Sequence, residues 1–118
     1  MPSPVDAYTD SYYDINAMVT DSLVRSVDPD TLARAADIIK MLGHAERLKI
    51  VEILEHGEAT VTEMQETLRL PQATVSQHLA KMRGADIVAA RREGNHVHYR
   101  LIEPKVEHIL NCIRKCDM

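Results

Sequence analysis

The sequence has no phenylalanine, no tryptophan and only four tyrosines among its 118 residues. A core without large aromatic rings must be built from leucine, isoleucine, valine, methionine and alanine. No apolar run is long enough to cross a bilayer, and nothing in the sequence resembles a signal peptide. With only two cysteines and no export signal, we expect a cytoplasmic protein with reduced thiols and not a disulfide scaffold.

Positive charge is also scarce, because the formal net charge is −4. Its distribution is uneven: residues 1–30 hold six aspartates against one arginine, whereas residues 69–100 hold six lysines and arginines against two acidic residues. Nucleic-acid binding depends on the charge that faces the phosphates, so the second segment is a candidate binding surface. We find no nucleophile–base pair, phosphate loop or paired carboxylates, and predict that the chain is not an enzyme.

Residues 60–101 show the pattern of a short helix, a tight turn, a second helix and a hairpin. Thr62 with Gln65 has the spacing of a capping box at the start of the first helix, and Thr60 with Glu63 offers an alternative start. Pro71 prevents the first helix from continuing. This order predicts a helix-turn-helix with a β wing, a module whose second helix enters the major groove of DNA.

The second helix carries one apolar stripe, formed by Val75, Leu79 and Met82 at i, i+4 and i+7. Short hydrogen-bonding side chains near its start suit base edges, and cations near its end suit phosphates. The residues predicted to contact DNA from this helix are Gln72, Thr74, Ser76, Gln77, Lys81 and Arg83.

The hairpin is indicated by residues 96–101, where polar and apolar side chains alternate with the period of a half-buried strand. Gly94 is free to take the positive φ that a hairpin turn requires. The wing residues predicted to contact DNA are Arg91, Arg92, His96 and Arg100.

The remaining chain divides into two parts. Residues 1–27 are predicted to form an acidic arm and a short helix, and residues 28–118 to form the DNA-binding and dimerisation domain. Asp28 and Pro29 suit the start of a helix that runs to about Leu42. The side chains predicted to point inward from this helix are Leu32, Ala35, Ile39 and Leu42. A further helix runs from Ala45 to about His56, with Leu48, Val51 and either Leu54 or Ile53 inward.

The last helix, from Pro104 to about Cys116, presents one broad apolar face formed by Val106, Ile109, Leu110 and Ile113. A terminal helix this apolar on a small domain is expected to have a partner. The predicted fold is therefore mainly α with a small β-hairpin, a winged helix-turn-helix that forms a homodimer through its N- and C-terminal helices.

Four segments resemble the ArsR/SmtB family of bacterial repressors: residues 42–51 (LGHAERLKIV), 75–79 (VSQHL), 87–88 (IV) and 94–101 (GNHVHYRL). Ala45 and Pro71 stand where the family usually has proline and serine. The resemblance covers about residues 32–116. It implies a repressor dimerised through its first and last helices, which binds a palindromic operator in double-stranded DNA and leaves it when an inducer binds.

Two cysteines on the last helix are candidate inducer ligands. Cys112 and Cys116 are four residues apart, so they share a helix face, and two such thiolates can chelate a thiophilic metal or metalloid. His108 is a third candidate ligand, although one ion cannot span His108 and Cys116 on one helix. The leading hypothesis is release of the operator by an arsenite- or cadmium-type inducer, with no cofactor required.

Four alternatives remain open, one of which is an inducer site elsewhere in the chain. The same cysteines could respond to oxidation or reactive sulfur, or they could be structural, because cysteine is a common buried small residue. A winged-helix module that contacts only other proteins is a candidate function of another class.

Overall fold

A computed structural model describes residues 26–116 of the chain, so the arm and short helix predicted for residues 1–27 lie almost entirely outside the described residues. Residues 26–116 form five helices and three strands. In chain order these are α1 (Pro29–Met41), α2 (Ala45–Glu55), β1 (Ala59–Thr60), α3 (Val61–Leu68), α4 (Gln72–Gly84), β2 (Val88–Glu93), β3 (His96–Leu101) and α5 (Pro104–Lys115).

Helix α1 begins as predicted, because the Asp28 carboxylate accepts the backbone N–H groups of Asp30 and Thr31 at 3.1 and 3.2 Å. The predicted inward face is partly wrong. Ile38 and Leu42 are buried, whereas Ile39 is 62% exposed and Leu32 is 55% exposed. The apolar residues of α1 therefore cover two faces, and the sequence pattern alone did not show which one packs on the core.

Helix α2 contributes Ile50, Val51 and Leu54 to the core. Leu48 and Ile53 are half-buried at its edge. The prediction for Val51 and Leu54 is confirmed, but the helix also buries Arg47, which is only 5% exposed. A buried guanidinium is unusual and requires hydrogen-bond partners.

The start of α3 follows the alternative cap. The hydroxyl of Thr60 accepts the backbone N–H of Glu63 at 3.2 Å and donates to the Glu63 carboxylate at 3.1 Å. The expected start at Thr62 is wrong, because Thr62 is already within the helix. Thr60 has extended backbone angles since it also ends strand β1, and this geometry places its hydroxyl at the helix terminus.

The sheet has three antiparallel strands in the order β1-β3-β2, so the predicted hairpin gains one short strand. Thr60 of β1 pairs with His98, and Ala90 of β2 pairs with Tyr99. Gly94 takes the expected positive φ of 61° at the hairpin turn. Strand β1 was not predicted, because two residues are too few to show the alternation of side chains that marks a strand.

Helix α5 begins as predicted, with the Glu103 carboxylate accepting the backbone N–H of Lys105 at 3.2 Å and Pro104 in the first turn. Val106 and Leu110 are buried, while Ile113 remains 37% exposed. The described core is entirely aliphatic and methionine-based, as the lack of aromatic residues predicted. Its largest fully buried side chains include Ile38, Ile50, Met64, Leu79, Met82 and Ile87.

Candidate nucleic-acid interface

The second helix of the helix-turn-helix, α4, is anchored on one side only. Its predicted apolar stripe is confirmed, since Val75, Leu79 and Met82 are each 0% exposed. The turn before it is made by Arg69, which has a left-handed backbone (φ 56°), and by Pro71 at the N-cap. Pro71 offers no side-chain cap and its carbonyl accepts only from the N–H groups of Thr74 and Val75, so the first two N–H groups of α4 have no partner among the described residues and could meet a phosphate.

The face of α4 opposite the apolar stripe is exposed and carries small side chains. Ala73, Gln77, Ala80 and Gly84 follow one another at intervals of three or four residues, which places them on one face. We call these four residues the helix front. Small side chains let the helix approach bases closely, and alanine suits the methyl group of thymine. The sequence pattern indicated Gln77 but not the other three, because alanine and glycine carry no polar signal.

The other predicted residues of α4 flank this front. Gln72, Lys81 and Arg83 are exposed, whereas Thr74 and Ser76 are half-buried. Among residues 26–116, neither Lys81 nor Arg83 forms an ion pair, so both are available to phosphates.

His78 ties α4 to α2 through a contact that the sequence did not indicate. The Nε of Arg47 donates to Nδ1 of His78 at 3.1 Å, and Nη1 of Arg47 donates to the Met41 carbonyl at 2.9 Å. Burial, and next the charge of Arg47, lower the pKa of His78, which keeps the imidazole neutral and Nδ1 able to accept. The ring of His44 lies 5.8 Å from that of His78.

The wing arginine Arg91 is held by carboxylates. It donates to Glu58 and Glu93, with both nitrogen–oxygen distances 2.7 Å. These hydrogen bonds lower the pKa of Glu58 and of Glu93 and raise the pKa of Arg91. Arg91 is therefore much less available to DNA than its sequence position suggested.

The other predicted wing residues remain accessible. Arg92, His96 and Arg100 are exposed, and none of them forms an ion pair within residues 26–116. The strand register places His96 opposite Glu93, and Arg100 opposite Ala89. Directly opposite residues share a face, so Arg100, His96 and Arg91 lie on one face of the hairpin.

The candidate inducer residues lie at the far end of the chain. Cys112 and Cys116 are both exposed, and Cys116 forms the C-cap of α5 with extended backbone angles. His108 lies one turn earlier and lines a separate apolar groove between α1 and α5. Within the described part of the chain, no three histidine, cysteine or acidic side chains are grouped closely enough to hold a metal ion. The structure therefore does not bring the three candidates together in one protomer.

An exposed helix with a small-residue front, flanking cations and an adjacent β wing define a winged helix-turn-helix protein of the DNA-binding class. Comparison with known proteins supports this class. The model of the family described as "Bacterial regulatory protein, arsR family" matches residues 44–90. The chain belongs to the ArsR/SmtB family, as the sequence resemblance indicated.

Relatives and solved structures agree with this assignment. The chain is 43% identical to the transcriptional repressor PagR of Bacillus anthracis over 79 residues, which cover 66% of this chain and 79% of PagR. It is 33% identical to the biofilm growth-associated repressor of Xylella fastidiosa strain 9a5c over 102 residues, covering 84% of this chain and 90% of that repressor. The structure of HlyU from Vibrio cholerae N16961 superposes with a TM-score of 0.69 at 30% identity, covering 75% of this chain and 96% of HlyU.

This membership establishes the general function. The chain is a transcriptional repressor of the winged helix-turn-helix type, a class whose members bind DNA and are not enzymes. The rival prediction of a module that contacts only proteins is thereby disfavoured. No helix in residues 26–116 is long and apolar enough to span a membrane.

Proposed function

We propose that the protein binds a palindromic operator as a homodimer, with the helix front of α4 in the major groove and the wing beside it. The helix front carries this proposal, because it is an exposed helix face with no packing role. Gln77 lies at its centre, where a side-chain amide can read a base edge. Lys81 and Arg83 supply cations to the phosphates on either side.

An apolar groove between α1 and α5 supports the dimer. Ala35, Ile38, Ile39 and Ile109 contribute to its lining, and its volume is about 290 Å³. Ile39 and Ile113 expose 62% and 37% of their surface, which is costly for isoleucine in water. A second copy of the chain would cover these side chains and set two α4 helices about 34 Å apart, one turn of DNA.

Sedimentation and operator titration test this arrangement together. We expect a dimer in solution and one dimer per palindromic duplex, with affinity falling as salt increases. Ile39→Glu should yield a monomer that keeps its helical content and loses operator affinity. A monomeric wild-type protein, or one that binds a scrambled duplex equally well, would contradict the proposal.

Operator release is proposed to start at Cys112 and Cys116, by binding of a thiophilic metal or metalloid. Both thiols are exposed and therefore accessible to an ion. Cys116 ends the helix with extended backbone angles, and its N–H donates to the Cys112 carbonyl at 3.2 Å, so only this last turn would have to adjust for both thiols to hold one ion. A third ligand would come from the partner protomer, since one protomer supplies no three-residue group among residues 26–116.

Ion pairs beside the two cysteines connect the end of α5 to α2. Arg114, between the two cysteines, contacts Glu55 at 2.5 Å and Glu52 at 3.6 Å on α2. The hydrogen bond from Arg114 lowers the pKa of Glu55, so the pair stays charged at neutral pH. A change in the last turn of α5 would therefore shift α2, which carries Arg47. Arg47 in turn contacts His78 of α4.

Titration of reduced protein with arsenite, cadmium and peroxide distinguishes the triggers. We expect arsenite or cadmium to release the operator and a Cys112→Ser, Cys116→Ser variant to stay bound. Release by peroxide alone would favour the alternative, a redox or reactive-sulfur sensor. A double variant that responds like wild type would remove the thiols from the mechanism. Glu107→Gln, at an exposed position of α5 that takes no part in the Arg114 contacts, controls for a substitution on this helix that leaves both thiols in place.

A further inference from the structure

A cleft between α1, α2 and the end of α4 lies apart from the cysteines. Its volume is about 590 Å³, and its lining includes Lys40, Arg47, Lys81 and Gly84. This size suits a small metabolite. We infer that the cleft binds a small oxyanion, of the phosphate or carboxylate class, and that occupancy weakens operator binding.

The guanidinium of Arg47 is the strongest indication of an anionic ligand. Arg47 as a whole residue is only 5% exposed, and no carboxylate within residues 26–116 lies within ion-pair distance of its guanidinium. Buried charges are normally paired, because an uncompensated one is expensive. Nε and Nη1 of Arg47 have partners, but no hydrogen bond of Nη2 is found among the described residues. The planar fork of arginine suits phosphate and carboxylate groups.

The charges around the cleft favour an anion. Lys40 and Lys81 form no ion pair within the described residues, whereas Arg34 is engaged by Glu103 at 3.2 Å. The acidic residues Asp37 and Asp86 also line the cleft and offset part of this charge. Together with Arg47, three cations without an ion-pair partner face two carboxylates, so the balance is positive. His44, the N-cap of α2, adds the positive end of a helix dipole.

Arg47 also connects the cleft to the surface that reads DNA. Its Nε holds His78 on α4, while Lys81 and Gly84 of the same helix line the cleft. An anion that draws the guanidinium toward the cleft competes with the hydrogen bond to His78. Helix α4, the recognition helix of the helix-turn-helix, has no side-chain cap at its start, and the hydrogen bond from Arg47 to His78 is one of the contacts that position it. Coupling between two such sites is reciprocal and typically about 5- to 150-fold.

Inorganic phosphate and pyrophosphate are suitable probes for the full-length reduced protein without DNA. With total ionic strength held constant by sodium chloride, NMR should show saturable shifts of the Arg47 Nε–H and His78 imidazole signals. Lys40→Gln should weaken binding of pyrophosphate at least threefold while the two signals remain present. Lys49→Gln, an exposed lysine of α2 outside the cleft, should leave the affinity unchanged.

Operator affinity measured at the same ionic strength supplies the second readout. Saturating pyrophosphate should weaken operator binding about fivefold in wild type and less in Lys40→Gln. The inference would be overturned if sodium chloride shifted the Arg47 and His78 signals as far as pyrophosphate does. It would also be overturned if Lys40→Gln and Lys49→Gln weakened pyrophosphate binding equally, because both results would indicate charge screening and not a site. If the Arg47 Nε–H signal moves only when duplex DNA is added, the inference is overturned, because the cleft would then hold a DNA phosphate and not a free anion. Because the phosphate and pyrophosphate titrations contain no DNA, they test anion binding even if the proposed operator binding is wrong.

Discussion

The recognition helix and the wing differ in how their cations are engaged. On α4, Lys81 and Arg83 form no ion pair among residues 26–116, whereas Arg91 on the wing is bound to both Glu58 and Glu93. The two regions looked equally basic in the sequence. Glu58 lies just before the first strand, 33 positions from Arg91, so no local pattern revealed the partner.

This difference matters for DNA binding, because a basic residue that is already paired with carboxylates brings little net positive charge to the phosphates. An arginine that bridges two carboxylates adds no positive charge to the surface, and moving it to a phosphate leaves two anions beside the DNA. We therefore expect α4 to supply most of the specificity and much of the affinity. Arg92 and Arg100, rather than Arg91, should supply the wing's share.

The largest effect is expected at the helix front. Gln77→Glu replaces an amide donor with a carboxylate at the groove, and a base contact is worth about 1–3 kcal/mol. Operator affinity should fall roughly tenfold to hundredfold, measured by fluorescence anisotropy on a labelled duplex. Asn111→Asp makes the same amide-to-acid change at an exposed position of α5 and should have little effect. Equal losses in the two variants would mean that the helix front does not face the bases.

A smaller, sequence-independent effect is expected at Lys81. Lys81→Ala should weaken specific and non-specific duplexes alike by several-fold, and reduce the slope of log affinity against log salt by about 1. Lys49→Ala removes an exposed lysine from α2, away from the proposed interface, and should leave the salt slope unchanged. An unaltered slope in Lys81→Ala would show that this ammonium group does not meet a phosphate.

Release of the wing arginine should act in the opposite direction. Glu58→Gln with Glu93→Gln frees Arg91 and removes two negative charges, so operator affinity at low salt should rise a few-fold. Both glutamates have a lowered pKa, so their ion pairs persist down to below about pH 4.5, the ordinary carboxyl value. Neutralisation therefore requires substitution, not mild acid. If the triple variant that also carries Arg91→Ala keeps the increased operator affinity, then the freed arginine does not cause the increase.

Much of the fold was predictable from the sequence because local signals agreed with the tertiary arrangement. Asp28, Glu103 and Gly94 act where their chemistry indicated, and Val75, Leu79 and Met82 form the expected stripe. On α1 the pattern failed, because adjacent isoleucines leave the helix face ambiguous. Ile38 is buried and Ile39 is exposed, and only packing decides between them.

The candidate site was predicted less completely, since its key features depend on residues distant in the chain. The polar residues of α4 were visible as a pattern, but the small-residue front was not. The Arg47–His78 hydrogen bond joins residues 31 positions apart. The exposure of Cys112 and Cys116 was likewise not visible in the sequence, because free cysteine is among the most often buried residue types and only packing shows the exception.

Thr60 joins the wing to the first helix of the helix-turn-helix, since it pairs with His98 of the wing and caps α3. Thr60→Ala should reduce the free energy of unfolding by about 1 kcal/mol, the usual cost of losing such a cap, as measured by urea denaturation. Thr62→Ala, at an exposed position two residues later, should change it much less. Operator affinity should barely change in either variant, because neither side chain belongs to the proposed interface. A Thr62→Ala variant as destabilised as Thr60→Ala would contradict the cap, because only the hydroxyl of Thr60 makes the capping contacts with Glu63.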